Sequence, residues 1–420
     1  MLTYKPNRIE IQRGEDRVAR RYRVKYGFQD ASFRWFDRIL ALFIGRAVPP
    51  ADWDPGSVRR ILIANGGHFG DLVMSTAVIQ LVRLAFPGAE VGLLAGSWSR
   101  SVFENNPLVN RLHLLDHWYT SRAKLPRWRK ALHYAFERGR VIEELREQHY
   151  DVALDVRLWF PNFIPILWSA RIPVRVGFNR VGFGPMLTHA GHVTYGGRHE
   201  LEDQLDLIRL ICDNPPQSDA ARPALLPSPV EAVQEVETLL GQDPPPFIVL
   251  HMGSSVPAKD WPEPKWRELA ERLAGLGYRV LFTGVGEREQ RNIEIATQGL
   301  TNYVNACDRA TWAGLVELVR RAEMVYSTDS SVGHVAAAVN TPVVTVYGGT
   351  VEPDRFKPYG TLCEVATHEP PCFPCLRKRG CSPMTCLTQL SVDTVWTAGT
   401  RLLSSKQGCA IAAGETGKRR

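Results

Sequence analysis

Short apolar runs alternate with helical segments along most of this chain, and no other feature limits its fold so strongly. "RRILIAN" reads as a strand and "LVMSTAVIQLVRLAF" as a helix. "AEVGLLAG" and "VNRLHLLD" are further strands, "AFERGRVIEELREQHY" is a helix with its charges on one face, and "DVALDVR" is a strand. Strands without a polar face, separated by helices, fit a parallel sheet covered on both sides, because each parallel crossover needs a long connection. "RIPVRVGFNRVGFGP" reads as a Gly-rich irregular stretch before the helix "ELEDQLDLIRLIC". "DNPPQSDAARPALLPSP" is rich in Pro, Ser and Asp and marks a boundary near residues 213–230. Beyond it the alternation restarts, from the strand "FIVLHMG" to the strand "PVVTVYGG". The predicted fold class is α/β: two Rossmann-like halves, residues 58–228 and 229–403, with parallel sheets facing a central cleft. Ligands of such folds bind at the carboxyl ends of the strands. Residues 1–57 form a basic, amphipathic extension, and residues 404–420 a small, polar tail expected to lack regular structure.

A chain of 420 residues exceeds one ordinary core, in keeping with two halves. Its 44% apolar and 23% charged residues are those of a globular protein. No apolar run approaches the roughly 20 residues of a membrane-spanning helix. "MLTYKPNRIE" lacks the apolar core of a signal peptide, so a cytoplasmic location is expected. The net charge of +7 is concentrated early: residues 1–60 hold 13 Lys and Arg against 7 Asp and Glu. There "RVARRYRVKYG" precedes "ASFRWFDRILALFIGRAV", in which Phe33, Phe36, Leu40, Phe43 and Ile44 recur at helical spacing. Such a segment suits peripheral attachment to the anionic inner-membrane surface. It equally suits a helix packed on its own domain with a solvated basic flank. Nucleic acid is not an expected partner, because neither the aromatic and glycine pattern of RNA modules nor zinc-finger spacing occurs.

Chemistry concentrates in three loops. In "ILIANGGHFGDLVMSTAVIQ", Gly66, Gly67 and Gly70 permit a tight turn and close approach of a ligand. Asp71 then stands at a helix start, as an N-cap or as a reacting acid. "GGHFGD" lacks the dinucleotide spacing, which argues against nicotinamide chemistry. In "HMGSSVPAKDWPEPKWREL", Ser254, Ser255 and Lys259 follow a strand and suit a phosphate or diphosphate. In "STDSSVGHVAAAVNTP" a strand ends at Ser327 and a helix opens within Asp329–Ser331, which makes an anion site of its first N–H groups and hydroxyls. Asp329 would oppose a bare phosphate and suits a sugar hydroxyl. Separately, Cys372, Cys375, Cys381 and Cys386 fall within residues 372–386. Four thiols so spaced suit structural Zn²⁺, labile redox pairing or plain reduced thiols. The D-x-D of Asp52, Trp53 and Asp54 precedes the first strand and reads as a loop.

In their order and spacing these motifs resemble the heptosyltransferase-like proteins of glycosyltransferase family 9, over roughly residues 58–400. The resemblance implies the two-Rossmann GT-B fold and an inverting, metal-independent transfer from a nucleotide-diphosphate sugar, with ADP-heptose the family's usual donor. The implied acceptor is an anionic glycolipid, a lipopolysaccharide-core or other cell-envelope glycan. The resemblance makes Asp71 the general base and places Ser254, Ser255 and Lys259 at the diphosphate. It gives Asp329 to the donor sugar, and Ser330, Ser331, Val332 and His334 to the helix start around the phosphates. Glu289 matches a carboxylate for the nucleotide ribose, with Glu287 a rival because "GVGEREQ" aligns two ways. Gly70 falls on the acceptor side with Arg127, Arg129 and Lys130 of "PRWRKA", which resembles a basic element facing an anionic acceptor. His68 departs from the small or polar residue expected before the Gly–Asp pair. No cofactor is required for catalysis on this reading. A nucleotide-sugar epimerase or hydrolase of the same fold, or a non-catalytic nucleotide-sugar-binding protein, are the alternatives.

Overall fold

The computed structural model describes residues 8–193 and 196–416. The chain divides into two units, Met1–Arg222 and Pro223–Arg420. Unit 1 is built on strands β1 (Arg60–Asn65), β2 (Glu90–Ala95), β3 (Arg111–Leu114), β4 (Val152–Asp155), β5 (Val174–Phe178) and β6 (His189–Gly191). They lie in the order β3-β2-β1-β4-β5-β6, all parallel, with Ile61 paired to both Val91 and Val152. This is the strand order of dinucleotide-binding folds, with its reversal beside β1. Its helices are α1 (Arg8–Ile44), α2 (Phe69–Ala85), α3 (Arg100–Phe103), α4 (Arg127–Glu147), α5 (Ile164–Ser169) and α6 (Glu200–Asp206).

The sequence dictates these elements simply. β1 is apolar from Ile61 to Ala64 and buried throughout that run, so it becomes a central strand. α2 is buried almost all round, from Leu72 to Val82, whereas α4 buries only Val141 and Leu145 and keeps its charges outside. Leu62, Ala64, Leu94, Val141, Leu145 and Ala153 share one core cluster, and each Leu and Val among them contributes roughly 1.5–3 kcal/mol by burial. One expectation is corrected. "RIPVRVGFNRVGFGP" is not irregular, since it contains the fully buried β5. Its alternation was hidden by Arg175, which is buried and donates to the carbonyls of Met186 and Ile172.

α1 packs against unit 1. Tyr22 and Tyr26 stand 6.3 and 5.6 Å from the Trp159 ring, and Arg180 lies 4.0 Å over that ring. Asp37 accepts the N–H groups of Phe183 and Gly184 at 2.7 and 3.1 Å. Leu40 packs on Ile164, Met186 and Leu187.

Unit 2 repeats the plan with β7 (Phe247–His251), β8 (Arg279–Thr283), β9 (Tyr303–Asn305), β10 (Met324–Thr328), β11 (Val343–Tyr347) and β12 (Cys363–Thr367). They lie in the order β12-β11-β10-β7-β8-β9, again all parallel. The helices are α7 (Val230–Leu240), α8 (Glu263–Gly275), α9 (Glu287–Thr297), α10 (Trp312–Arg321), α11 (Ser331–Ala338), α12 (Pro353–Phe356), α13 (Thr385–Thr388) and α14 (Val392–Thr416). Trp261 and Trp266 meet edge to face at 5.2 Å in the core, and the Trp261 indole donates to Leu390 O at 3.2 Å. α14 stays helical to Thr416, across most of the tail expected to lack regular structure. Among the described residues no helix is long and apolar enough to cross a membrane.

Candidate active site

The first chemical centre forms where β1 ends. Asn65 fixes the glycine loop: its amide donates to Ser75 Oγ at 2.7 Å and its carbonyl accepts Gly67 N–H at 2.8 Å. His68, not Asp71, is the N-cap of α2. Asp71 is the third helical residue and its Oδ2 accepts the His68 N–H at 2.7 Å, the reach-back half of a capping box. The same oxygen lies 2.9 Å from Arg157 Nη1, and both side chains are mostly shielded, at 18% and 11% exposed. A Cβ on Gly67 would lie 2.4–2.6 Å from the Asp71 side chain, so only glycine lets the carboxylate fold back here. Trp98 holds the loop from the other side through a 3.1 Å bond to Gly67 O.

Arg157 is carried by the exit of β4. Asp155 at that exit is wholly buried and accepts the N–H groups of Arg157 at 3.1 Å and Phe163 at 2.5 Å. Burial pushes the Asp155 carboxyl up to about 7, against those N–H groups and the Arg157 charge, which pull it down.

Gly70 lies in the first turn of α2, and Arg127, Arg129 and Lys130 form the first turn of α4. Arg127 and Arg129 are exposed, with Arg129 5.1 Å over the Trp128 ring. Lys130 Nζ donates to Ser121 O at 2.9 Å, and Arg122 beside it stacks 4.4 Å over the Phe69 ring. The basic turn is thereby tied to the start of α2.

The second centre gathers at the carboxyl ends of β7, β8 and β10. Lys259 Nζ meets Asp329 Oδ2 at 2.6 Å and Asp329 O at 3.3 Å, which joins two residues 70 positions apart. Ser330 occupies the N-cap position of α11 without a side-chain cap bond, and its Oγ is buried with no hydrogen-bond partner. The N–H groups of α11's first turn and this hydroxyl make an anion-binding mouth. Ser331 opens the helix, while Val332 and His334 are buried in it. Tyr347 has its hydroxyl pushed well up by burial and by the Asp329 charge.

Ser254 is engaged locally, donating to Val256 O at 2.7 Å and lying 3.3 Å from Asp260 Oδ1, whereas Ser255 is exposed. Glu289 is the acid that joins this loop. It accepts Val285 N–H at 2.8 Å and occupies the space where a Gly253 side chain would stand, within 1.9–2.5 Å of that absent Cβ. Its rival Glu287 is exposed at the start of α9. Burial raises the Glu289 carboxyl above its ordinary range. Thr328 closes the arrangement with a 2.6 Å bond to Gly253 O.

Three participants escaped the sequence reading. Arg157 follows "DVALD" at a strand's carboxyl end, a position that signals the ligand edge. Arg288 pairs with Asp260 and donates to Ser254 O, bracing the loop that carries Lys259. Burial pushes Asp260 up to about 6 while Arg288 pulls it down.

In the cysteine segment all four cysteines are thiols, none joined in a disulfide, and Cys386 lies near Cys375 and Cys381. Cys386 is buried and its sulfur accepts Gly349 N–H at 3.3 Å, while Cys372 and Cys381 are exposed. Cys381 Sγ turns to Pro383 O at 3.6 Å. Among the described residues no three His, Cys, Asp or Glu side chains are grouped so that they could hold a metal ion. Packing has drawn one thiol into the core and left two outside.

Comparison with known proteins gives this chain a family and relatives. The family model of glycosyltransferase family 9 (heptosyltransferase) matches residues 138–384. Lipopolysaccharide heptosyltransferase 1 of Pseudomonas aeruginosa is 25% identical over 336 residues, covering 76% of this chain and 86% of that protein. Lipooligosaccharide heptosyltransferase 2 of Haemophilus influenzae is 29% identical over 319 residues, covering 69% and 83%. The solved structure of E. coli ADP-heptose lipopolysaccharide heptosyltransferase II aligns with a TM-score of 0.65 at 22% identity, over 83% of this chain and 99% of that one. The shared fold is the GT-B type, as expected.

Proposed function

Because this chain belongs to glycosyltransferase family 9 and is a glycosyltransferase, we propose that it moves a heptose from ADP-heptose to a lipopolysaccharide-core or other anionic cell-envelope glycan, by an inverting displacement that needs no metal. One observation carries the reading: the Lys259–Asp329 pair beside the buried, unpartnered hydroxyl of Ser330 at the start of α11. A diphosphate and a sugar hydroxyl need that combination of cation, N–H groups and acid.

The chemistry follows from the groups present. An acceptor hydroxyl attacks the anomeric carbon as Asp71 takes its proton, and the bond from that carbon to the diphosphate oxygen breaks. The nucleotide diphosphate leaves with the bonding electrons. Lys259, Ser330 and the α11 N–H groups stabilise its charge, so no general acid is required. Arg157 orients Asp71 through their 2.9 Å contact. Glu289 suits a ribose hydroxyl, and Arg127, Arg129 and Lys130 suit the phosphate-bearing acceptor. Work on such an acceptor places the enzyme at the inner face of the cytoplasmic membrane.

The test is transfer from ADP-heptose to a heptose-deficient core glycan with EDTA present, the product's anomeric configuration being read by NMR. Asp71→Asn should lower kcat by on the order of 10²–10⁴ with ADP binding retained. Retention of configuration, EDTA-sensitive turnover, or donor breakdown that ignores the acceptor would each overturn part of the reading.

A further inference from the structure

α1 has two apolar faces, and unit 1 covers one of them. Tyr22, Tyr26, Phe33 and Leu40 turn toward the protein, in contact with Trp159, Gly182 and the Ile164 cluster. On the opposite face Val24, Phe28, Trp35 and Leu42 are 81%, 88%, 66% and 84% exposed. At 3.6 residues per turn these four positions form one stripe running along the helix. The face that the sequence pattern picked out was mostly the docked one, since of its five residues only Phe43 is broadly exposed. A continuous exposed stripe of this kind marks a surface that meets something apolar.

Charge identifies the partner. Arg20, Lys25, Arg34 and Arg38 are exposed along the stripe's borders. Arg34, Arg38, Arg46 and Arg180 also line an open cavity on one flank, with Asp30 and Asp37 in its wall. Among the described side chains of α1 those two are the only acids, and both are used inward. Asp30 lies 3.8 Å from Arg180, and Asp37 accepts the Phe183 and Gly184 N–H groups. Among the described side chains, the outer face therefore offers apolar groups and cations with no acid among them. A second copy would bring like charge against like, whereas an anionic lipid surface is complementary to both components.

We propose that the outer face of α1 seats this protein on an anionic bilayer, with Phe28, Trp35 and Leu42 entering the acyl boundary and Arg20, Arg34 and Arg38 meeting lipid phosphates. The family match begins at residue 138, so this surface lies outside it. The inference rests on the reading that the acceptor is held in a membrane, but its test involves no turnover.

Flotation of the full chain with vesicles decides it. The protein should float with phosphatidylglycerol–phosphatidylethanolamine vesicles, less so as salt rises, and stay behind with phosphatidylcholine alone. Phe28→Ser/Trp35→Ser/Leu42→Ser and Arg34→Glu/Arg38→Glu should each lower partitioning by about tenfold or more. Both variants should keep the parent's thermal melt and its transfer to a water-soluble acceptor fragment. Absence of flotation, equal flotation on phosphatidylcholine, variants that float like the parent, or a dimer that the variants dissolve would each overturn the proposal. Flotation without any glycosyl transfer would sink the proposed reaction and leave this surface standing.

Discussion

Asp71 shows how much one side chain's setting depends on its neighbours' lack of bulk. Its carboxylate folds onto Gly67 and is held by the His68 N–H and by Arg157. Gly67→Ala should push the carboxylate out of this position and lower kcat about as far as Asp71→Asn does, with little change in the KM for donor. Single-turnover kinetics would check it, and full activity in Gly67→Ala would remove the close approach from the mechanism. Gly253 plays the same part for Glu289. Gly253→Ala should raise the Kd for ADP severalfold without touching acceptor binding, as read by calorimetry.

Asp155 makes a prediction about pH. Its folded value of about 7 lies above its ordinary 3.8, so the folded state holds the proton more tightly. Its stabilising share is therefore complete below about pH 4 and is lost as pH rises to about 7. Asp155→Asn keeps a neutral side chain at every pH, so its Tm should vary less than the parent's across that window. Parallel Tm profiles for the two proteins would contradict the assigned cause.

At the scale of elements, legibility followed length and apolar content. β1, β4, β7, β10 and β11 are plain because their side chains are buried on both faces, which leaves runs that are mostly apolar. β6 and β9, three residues each, gave too little pattern to read, and β5 was masked by Arg175 and flanking glycines. Site residues divided in the same way. Lys259, Asp329 and Ser330 sit in loops that directly follow apolar strands, so the sequence exposed them. The partners that orient them come from distant positions: Arg157 reaches Asp71 across 86 residues of chain, a relation that exists only after β4 pairs with β1. Of the alternatives left open for α1, docking on its own unit is what the structure shows.

For the whole molecule, two sheets of identical strand order explain why a single sequence pattern restarted after the Pro-rich segment. Each unit has its own sheet and core, and the residues proposed to hold the donor all belong to Pro223–Arg420. Saturating ADP should therefore raise the unfolding temperature of that unit, with about 2.7 kcal/mol of stabilisation at a hundredfold excess over Kd. Lys259→Met should abolish most of the shift in a calorimetric scan, while leaving unit 1's transition where it was.

The Lys259–Asp329 contact has one more implication. A lysine already matched by an acid is a poor trap for stray anions. Inorganic phosphate can take the cation only by stranding the carboxylate. A nucleotide sugar offers both halves of the exchange at once, an anionic oxygen for the lysine and a hydroxyl for the aspartate. On the proposed donor reading, the Lys259–Asp329 pair is a two-key lock that favours a nucleotide sugar over free phosphate.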